Sequence, residues 1–186
     1  MKYLQIKNEK LSAIGIGSAA LSRNIADEQQ AIQFGLANGI NVIDTAESYG
    51  NSEEVIGQAL RSIPRNQYFL ISKFLPEHAT PKLQRRSLEQ SLRRLKTDYL
   101  DLYLLHWRAN ADLTSTVAGL EKLQQEGLIR HWGVSNFDIH DMQDLMRVPN
   151  GNHVFANEDL YNLTSRGVEY DLLPWQIKHQ VGFLSY

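Results

Sequence analysis

Asn41-Val42-Ile43-Asp44-Thr45-Ala46-Glu47-Ser48-Tyr49-Gly50-Asn51-Ser52 decides the fold of this chain. An apolar run ends on an acid and passes through a short polar loop into a helix start. Val42 to Asp44 reads as a short strand. Ser52 reads as the cap of the next helix, with Glu53 and Glu54 well placed in its first turn. The same ending recurs downstream: Lys73 follows Phe69-Leu70-Ile71-Ser72, and His106 closes the strand-like stretch from Tyr99 to Leu105. If these runs are parallel strands of one sheet, Asp44, Tyr49, Lys73 and His106 meet at its carboxyl edge, where α/β folds place their chemistry.

Outward from this stretch, strand and helix patterns alternate almost without break. Ile14 to Gly17 is the expected first strand, preceded by Lys2 to Ser12 as a short hairpin over a barrel floor. Asp27, with Gln30 completing a capping box, predicts the start of the first helix, and Gly39 its end. Thr80-Pro81 predicts the next helix start but one, with Leu83, Leu88, Leu92 and Leu95 on one face. Asp112, Asp138 and Asp171 are further caps, Val117, Leu120 and Leu123 face inward between them, Gly127 ends a helix and Pro149 stops another. Strands are expected at Phe69–Lys73, Leu100–Leu105, Ile129–Ser135, Val154–Ala156 and Val181–Tyr186. Repeated strand–helix units predict a parallel sheet with helices outside. The reading is α/β, a (β/α)8 TIM-barrel type with about seven strands present and the last βα unit missing, in one domain over residues 1–186.

Composition narrows the functions. The 186 residues carry a net charge of −2 and are 42% hydrophobic, which fits one folded domain and gives no pull toward nucleic acid or an anionic membrane. The absence of cysteine excludes disulfides and thiolate metal sites, and the six histidines have no ligand spacing, so no metal is expected. The first residues lack the apolar core of a secretory signal, and no apolar stretch could span a bilayer. A cytoplasmic protein is the expectation. Gly15-Ile16-Gly17-Ser18-Ala19-Ala20 fits a dinucleotide fingerprint, but that pattern needs a helix starting at the glycines, and the helical pattern begins only near Asp27.

Singly, each polar residue has a plain explanation. His106 could be a satisfied structural group, Asp44 a turn former, Lys73 part of a solvated rim and Tyr49 a loop aromatic. Together they form a proton-transfer set. A tyrosine of ordinary pKa, about 10, is a poor acid at neutral pH, and a lysine ammonium beside it would lower that value. An aspartate would hold the lysine charged and in place. A neutral imidazole could donate a hydrogen bond to a carbonyl oxygen. Such a set could protonate a carbonyl as hydride arrives at its carbon, and the protein itself has no hydride to give, so a nicotinamide cofactor is implied.

The ordered stretches Asp44-Thr45-Ala46-Glu47-Ser48-Tyr49-Gly50-Asn51, Ile71-Ser72-Lys73, Leu104-Leu105-His106-Trp107, Gly133-Val134-Ser135-Asn136-Phe137, Tyr161-Asn162-Leu163 and Tyr170-Asp171-Leu172-Leu173-Pro174-Trp175 resemble the aldo-keto reductases, most of all their bacterial members. The resemblance covers essentially the whole chain. It implies NADPH-dependent reduction of aldehydes or ketones, a small-molecule carbonyl substrate and a catalytic tetrad of Asp44, Tyr49, Lys73 and His106, with Tyr49 as general acid. It also implies that Ser135 and Asn136 hydrogen-bond the nicotinamide amide, that Tyr186 stacks under the ring and that Trp107 lines the substrate pocket.

Two departures from the family pattern stand out. Asn157-Glu158 occupies the place of an Asn-Gln pair, and an ionised carboxylate accepts hydrogen bonds without donating. Replacing Glu158 by Gln is therefore expected to tighten NADPH binding. The family pattern also continues past Tyr186, into an eighth strand and the basic residues that hold the adenosine 2′-phosphate. The expectation is a C-terminally truncated barrel with unpaired edges at Ile14 and Val181, prone to oligomerise through them. A non-catalytic fragment or binding subunit is the competing class.

Overall fold

Strand alternation and helix caps account for the architecture of the computed structural model, which describes residues 1–19 and 24–186. β1 (Tyr3–Ile6) and β2 (Glu9–Ser12) pair antiparallel as the expected hairpin. The chain then alternates through β3 (Gly15–Gly17), α1 (Ile25–Ala37), β4 (Val42–Asp44), α2 (Ser52–Ala59), β5 (Phe69–Phe74), α3 (Pro81–Leu95), β6 (Leu100–Leu105), α4 (Leu113–Gln125), β7 (Ile129–Ser135), α5 (Ile139–Arg147), β8 (Ala156–Asp159), α6 (Leu172–His179) and β9 (Gly182–Ser185). β3 to β9 form one parallel sheet in sequence order, an open barrel of seven strands whose two end strands are β3 and β9.

Register separates the two faces. Gly17 lies opposite Asp44, Asp44 opposite Ile71, and Lys73 opposite Leu104. Leu104 in turn lies opposite Gly133, Ser135 opposite Glu158, and Glu158 opposite Leu184. Because side chains alternate with a period of two, these positions share the inner face. Its lower layers are apolar: Val42, Phe69, Ile71, Leu102, Leu104 and Ala156 pack together, with Leu11 of the hairpin against them. The outward set, including Ile43, Leu70, Phe74, Tyr103, Leu105, Trp132 and Val134, packs under the helices with Leu88, Leu92, Val117, Leu120 and Met142. The hairpin is also tied down by charge, since Glu9 accepts from Arg130 at 2.7 Å and contacts His131 at 2.9 Å.

Gly133 is fixed by space. A Cβ there would stand 2.3 Å from the Ala156 carbonyl oxygen and 2.8 Å from the Leu104 side chain, so only glycine lets β7 and β8 pair at the barrel wall.

Most helix ends fall where caps predict them. Asp112 accepts from Thr114 N and Asp138 from Asp141 N, while Pro81 takes the first position of α3. Three expectations need correction. Asn24, not Asp27, caps α1: its side chain accepts from Ala26 N at 3.2 Å and Asp27 N at 3.5 Å, which puts Asp27 inside the first turn. The cap of α2 is Asn51, and Ser52 is the first helical residue, its hydroxyl donating to Ser18 O at 2.8 Å. β8 spans Ala156–Asp159 rather than Val154–Ala156, because the strand runs on through the polar residues of the site. Ala20 of the dinucleotide-like pattern and the following Leu21 to Arg23 lie outside the described residues. Gly15 and Gly17 belong to β3, and α1 starts only at Ile25. Among the described residues, no helix is long and apolar enough to cross a membrane.

Candidate active site

β4 ends on Asp44 and β5 carries Lys73 as its penultimate residue, both on the inner face at the carboxyl ends, and β8 places Glu158 on that face nearby. Lys73 is the pivot. Its side chain is 1% exposed, its ammonium donates to the Asp44 carboxylate and the Thr45 carbonyl (3.2 Å), and it lies 3.1 Å from Glu158 Oε1. Burial works to lower the Lys73 pKa, but Asp44, Glu158 and Tyr49 outweigh it and keep the ammonium charged.

Tyr49 comes from the loop after β4, and its ring lies with the Lys73 ammonium 5.3 Å from the centroid. Its hydroxyl is 3.4 Å from His106 Nε2, and the two rings meet edge to face. Glu47 braces this loop: Oε1 accepts from Leu75 N at 2.7 Å and contacts His78 at 2.8 Å, and Oε2 accepts from the Ser87 hydroxyl. The four expected groups are therefore brought together.

Electrostatics refines their expected roles. Burial raises the phenol pKa of Tyr49, Lys73 pulls it down, and Asp44 and Glu158 push it up again, so the net shift is upward. The expectation that the lysine would leave this phenol below its ordinary value is not met. Tyr49 thus keeps its proton throughout the neutral range. The His106 pKa is lowered to about 4, first by burial and then by the Lys73 charge, so the imidazole is neutral. Ser48 Oγ lies 3.5 Å from its Nδ1. A hydroxyl donating there leaves the imidazole proton on Nε2, beside the Tyr49 hydroxyl. Asp44 is raised by burial against the pull of Lys73, and burial together with Asp44 pushes Glu158 up to about 8.

The remaining expected residues gather around the same edge. Ser135 Oγ and Asn136 N both donate to the Glu158 carbonyl, at 2.9 and 2.8 Å. Asn136 adopts a left-handed conformation (φ 57°), its amide donates to His106 O at 2.9 Å and to Ser135 Oγ at 3.1 Å, and its Oδ1 accepts from the exposed Tyr186 hydroxyl. Trp107 is exposed with its ring 4.9 Å from that of His106. A cleft of about 340 Å³ opens between β3 and β9, lined by Gly17, Asp44, Glu158, Ser185 and Tyr186 among others. Glu158 Oε2 is buried and, among the described residues, accepts no N–H or O–H hydrogen bond.

Sequence reasoning passed over three supports. Ser48, Glu47 and Thr45 sit inside the quoted stretch, but their contacts are to residues about 30 to 60 positions away, which local pattern does not show. Asn157 was also missed as a brace: its amide donates to Phe137 O at 2.9 Å and holds the turn after β7.

Known proteins resemble this chain in sequence and in fold. The methylglyoxal reductase YeaE of Escherichia coli is 44% identical over 191 residues, covering all of this chain and 67% of that protein. The aldo-keto reductase YhdN of Bacillus subtilis is 33% identical, covering all of this chain and 61% of that protein. An aldo/keto reductase from Klebsiella pneumoniae, solved in complex with NADP and acetate, superimposes with a TM-score of 0.93 at 46% identity, covering 97% of this chain and 65% of that one. The chain thus spans roughly two thirds of the length of these relatives. The profile of the aldo/keto reductase family matches residues 13–186, and the chain belongs to that family.

Proposed function

We propose that this site reduces the carbonyl of a small aldehyde or ketone to an alcohol, using NADPH, with Tyr49 as the general acid. The observation that carries the reading is the meeting of the Tyr49 hydroxyl and His106 Nε2 at 3.4 Å, beside a buried, charged Lys73. A carbonyl oxygen placed between phenol and imidazole receives two hydrogen bonds. The charge that grows on it is stabilised by these donors and by the ammonium behind them. Tyr49 gives up its proton to that oxygen, a transfer favoured because an alkoxide is a far stronger base than a phenolate. Lys73, held by Asp44, stabilises the phenolate left behind. Neutral His106 orients the carbonyl without competing for the proton.

The residues present suit a nicotinamide carboxamide, which both donates and accepts. The orphaned Glu158 Oε2, the Asn136 amide and the exposed Tyr186 ring lie on the same edge. Ser135, Asn136, Glu158 and Tyr186 would hold that end of the cofactor, which supplies hydride when bound. Trp107 would close the substrate side. The printed activity of the Escherichia coli relative, methylglyoxal reduction, points to a small, reactive carbonyl compound. We place the activity in the cytoplasm, in a single domain over residues 1–186.

A second reading, a non-catalytic binding subunit that uses the partial barrel as an interface, is favoured by the open cleft between β3 and β9. NADPH consumption with methylglyoxal and with a small aromatic aldehyde separates the two. Turnover that disappears in Tyr49→Phe supports the reductase. No turnover from a folded preparation supports the binding subunit.

A further inference from the structure

Two carboxyls face one cation at the heart of this site. Asp44 takes the Lys73 ammonium closely, and Glu158 Oε1 stands 3.1 Å from it. Glu158 is 6% exposed, its other oxygen accepts no N–H or O–H among the described residues, and it lines the cleft between β3 and β9. Among the described residues, the titratable and charged groups that face it are Asp44 from β4, Lys73 from β5, Tyr49 from the loop after β4 and Tyr186 after β9.

We propose that Glu158 is a proton-gated contact for the cofactor: protonated, it donates its Oε2 hydroxyl to the nicotinamide carboxamide and leaves Lys73 to Asp44 and Tyr49, whereas ionised it becomes a second anion on Lys73 and disfavours the cofactor. This rests on the reductase reading above. Lys73 already contacts Oε1, so the proton belongs on Oε2, the buried oxygen that no other described residue but the neighbouring Asp44 carboxyl can reach, at the wall of the cleft that Glu158 lines. A buried oxygen without a partner is satisfied when a ligand brings one. In its protonated form a carboxyl offers one donor and one acceptor, as a glutamine amide does, and so stands in for the glutamine of the family pattern. Two buried carboxyls cannot both ionise cheaply against a single ammonium. Burial and the neighbouring Asp44 hold the Glu158 pKa up at about 8, so the donor is present at neutral pH and lost on the alkaline side. The expectation that Glu158→Gln simply tightens binding is thereby changed: its effect depends on pH.

Fluorescence titration with NADPH at pH 7 and pH 9 tests this on the wild type, Glu158→Gln and Glu158→Ala. If only the protonated form binds well, the wild-type dissociation constant rises about tenfold over that interval, in proportion to the lost protonated fraction. Glu158→Gln should show less than a twofold change, and Glu158→Ala, which lacks donor and acceptor, should bind more weakly than Glu158→Gln at both pH values. In protein labelled with carbon-13 at glutamate carboxyls, one resonance should titrate near pH 8 and vanish in Glu158→Gln. Parallel pH dependence in the wild type and Glu158→Gln, or no glutamate carboxyl titrating above pH 6, overturns the proposal while leaving the reductase reading intact. A protein that binds no NADPH at either pH overturns both.

Discussion

Replacing Lys73 by methionine should destabilise the protein by an amount that grows with pH. Methionine keeps much of the volume of this fully buried side chain but removes the cation that, among the described residues, Asp44 and Glu158 share. Without it, Asp44 is left buried beside a second carboxyl and takes up a proton in the folded state. Glu158 already carries one near neutral pH, its pKa standing at about 8, so the variant differs from the wild type by about one bound proton. The unfolded chain releases an aspartate proton near pH 4. The folded pKa of Asp44 is then raised above its unfolded value, so the penalty is absent below about pH 4 and increases as pH rises toward the folded pKa. Each pH unit over which the variant holds one proton more contributes about 1.4 kcal/mol, which caps the growth at about 3 kcal/mol between pH 5 and pH 7.5, because burial already raises the Asp44 pKa in the wild type. At pH 5 the remaining loss is about 1–3 kcal/mol, from the lost hydrogen bond to Thr45 O. Urea unfolding of both proteins at the two pH values measures the difference directly. Equal losses at pH 5 and pH 7.5 would show that the carboxyls stay ionised without the ammonium, and the charge-sharing account of the site would be wrong.

Tyr49→Phe should lower NADPH-dependent turnover by about 10²- to 10⁴-fold, the usual contribution of a positioned general acid. An unfolding midpoint close to the wild type would show that the loss is chemical. His106 should titrate near pH 4 by proton NMR, because burial and Lys73 both oppose its charge; a midpoint near 6.5 would refute the neutral imidazole assigned here. Gly133→Ala should destabilise by about 1–3 kcal/mol in urea unfolding, since the added carbon meets the Ala156 carbonyl and cannot be absorbed by a rotamer change.

The apolar runs made the strands legible wherever both faces are buried against apolar neighbours. β6 and β7 fall at the residues expected, and β5 is longer by one residue, Phe74. β8 was misplaced because its apolar start, Val154 to Ala156, is only half of the story. The strand continues through Asn157, Glu158 and Asp159, and its inward polar position belongs to the site. Hydrophobic pattern is blind where function replaces core. The caps of α1 and α2 were off by a few residues because Asn and Ser compete with Asp and with one another for the same role, and only backbone geometry decides.

The meeting of Asp44, Lys73 and His106 was legible for a topological reason: each lies at or just past the carboxyl end of a strand, and parallel order brings such ends together. Their ionisation was not legible, since it depends on depth and on neighbours from distant strands. The lysine was expected to make Tyr49 more acidic, yet burial and two carboxyls reverse the net shift. That reversal suits reduction. A phenol that holds its proton until charge appears on the carbonyl oxygen gives it up only when hydride arrives, whereas a site built to make phenolate at rest would have no proton to donate. Glu158 contributes to this bias whenever it is ionised, because a second anion near Lys73 further opposes phenolate. The same carboxyl that governs the cofactor contact thereby also sets how tightly Tyr49 keeps its proton, and both effects turn on as pH passes about 8.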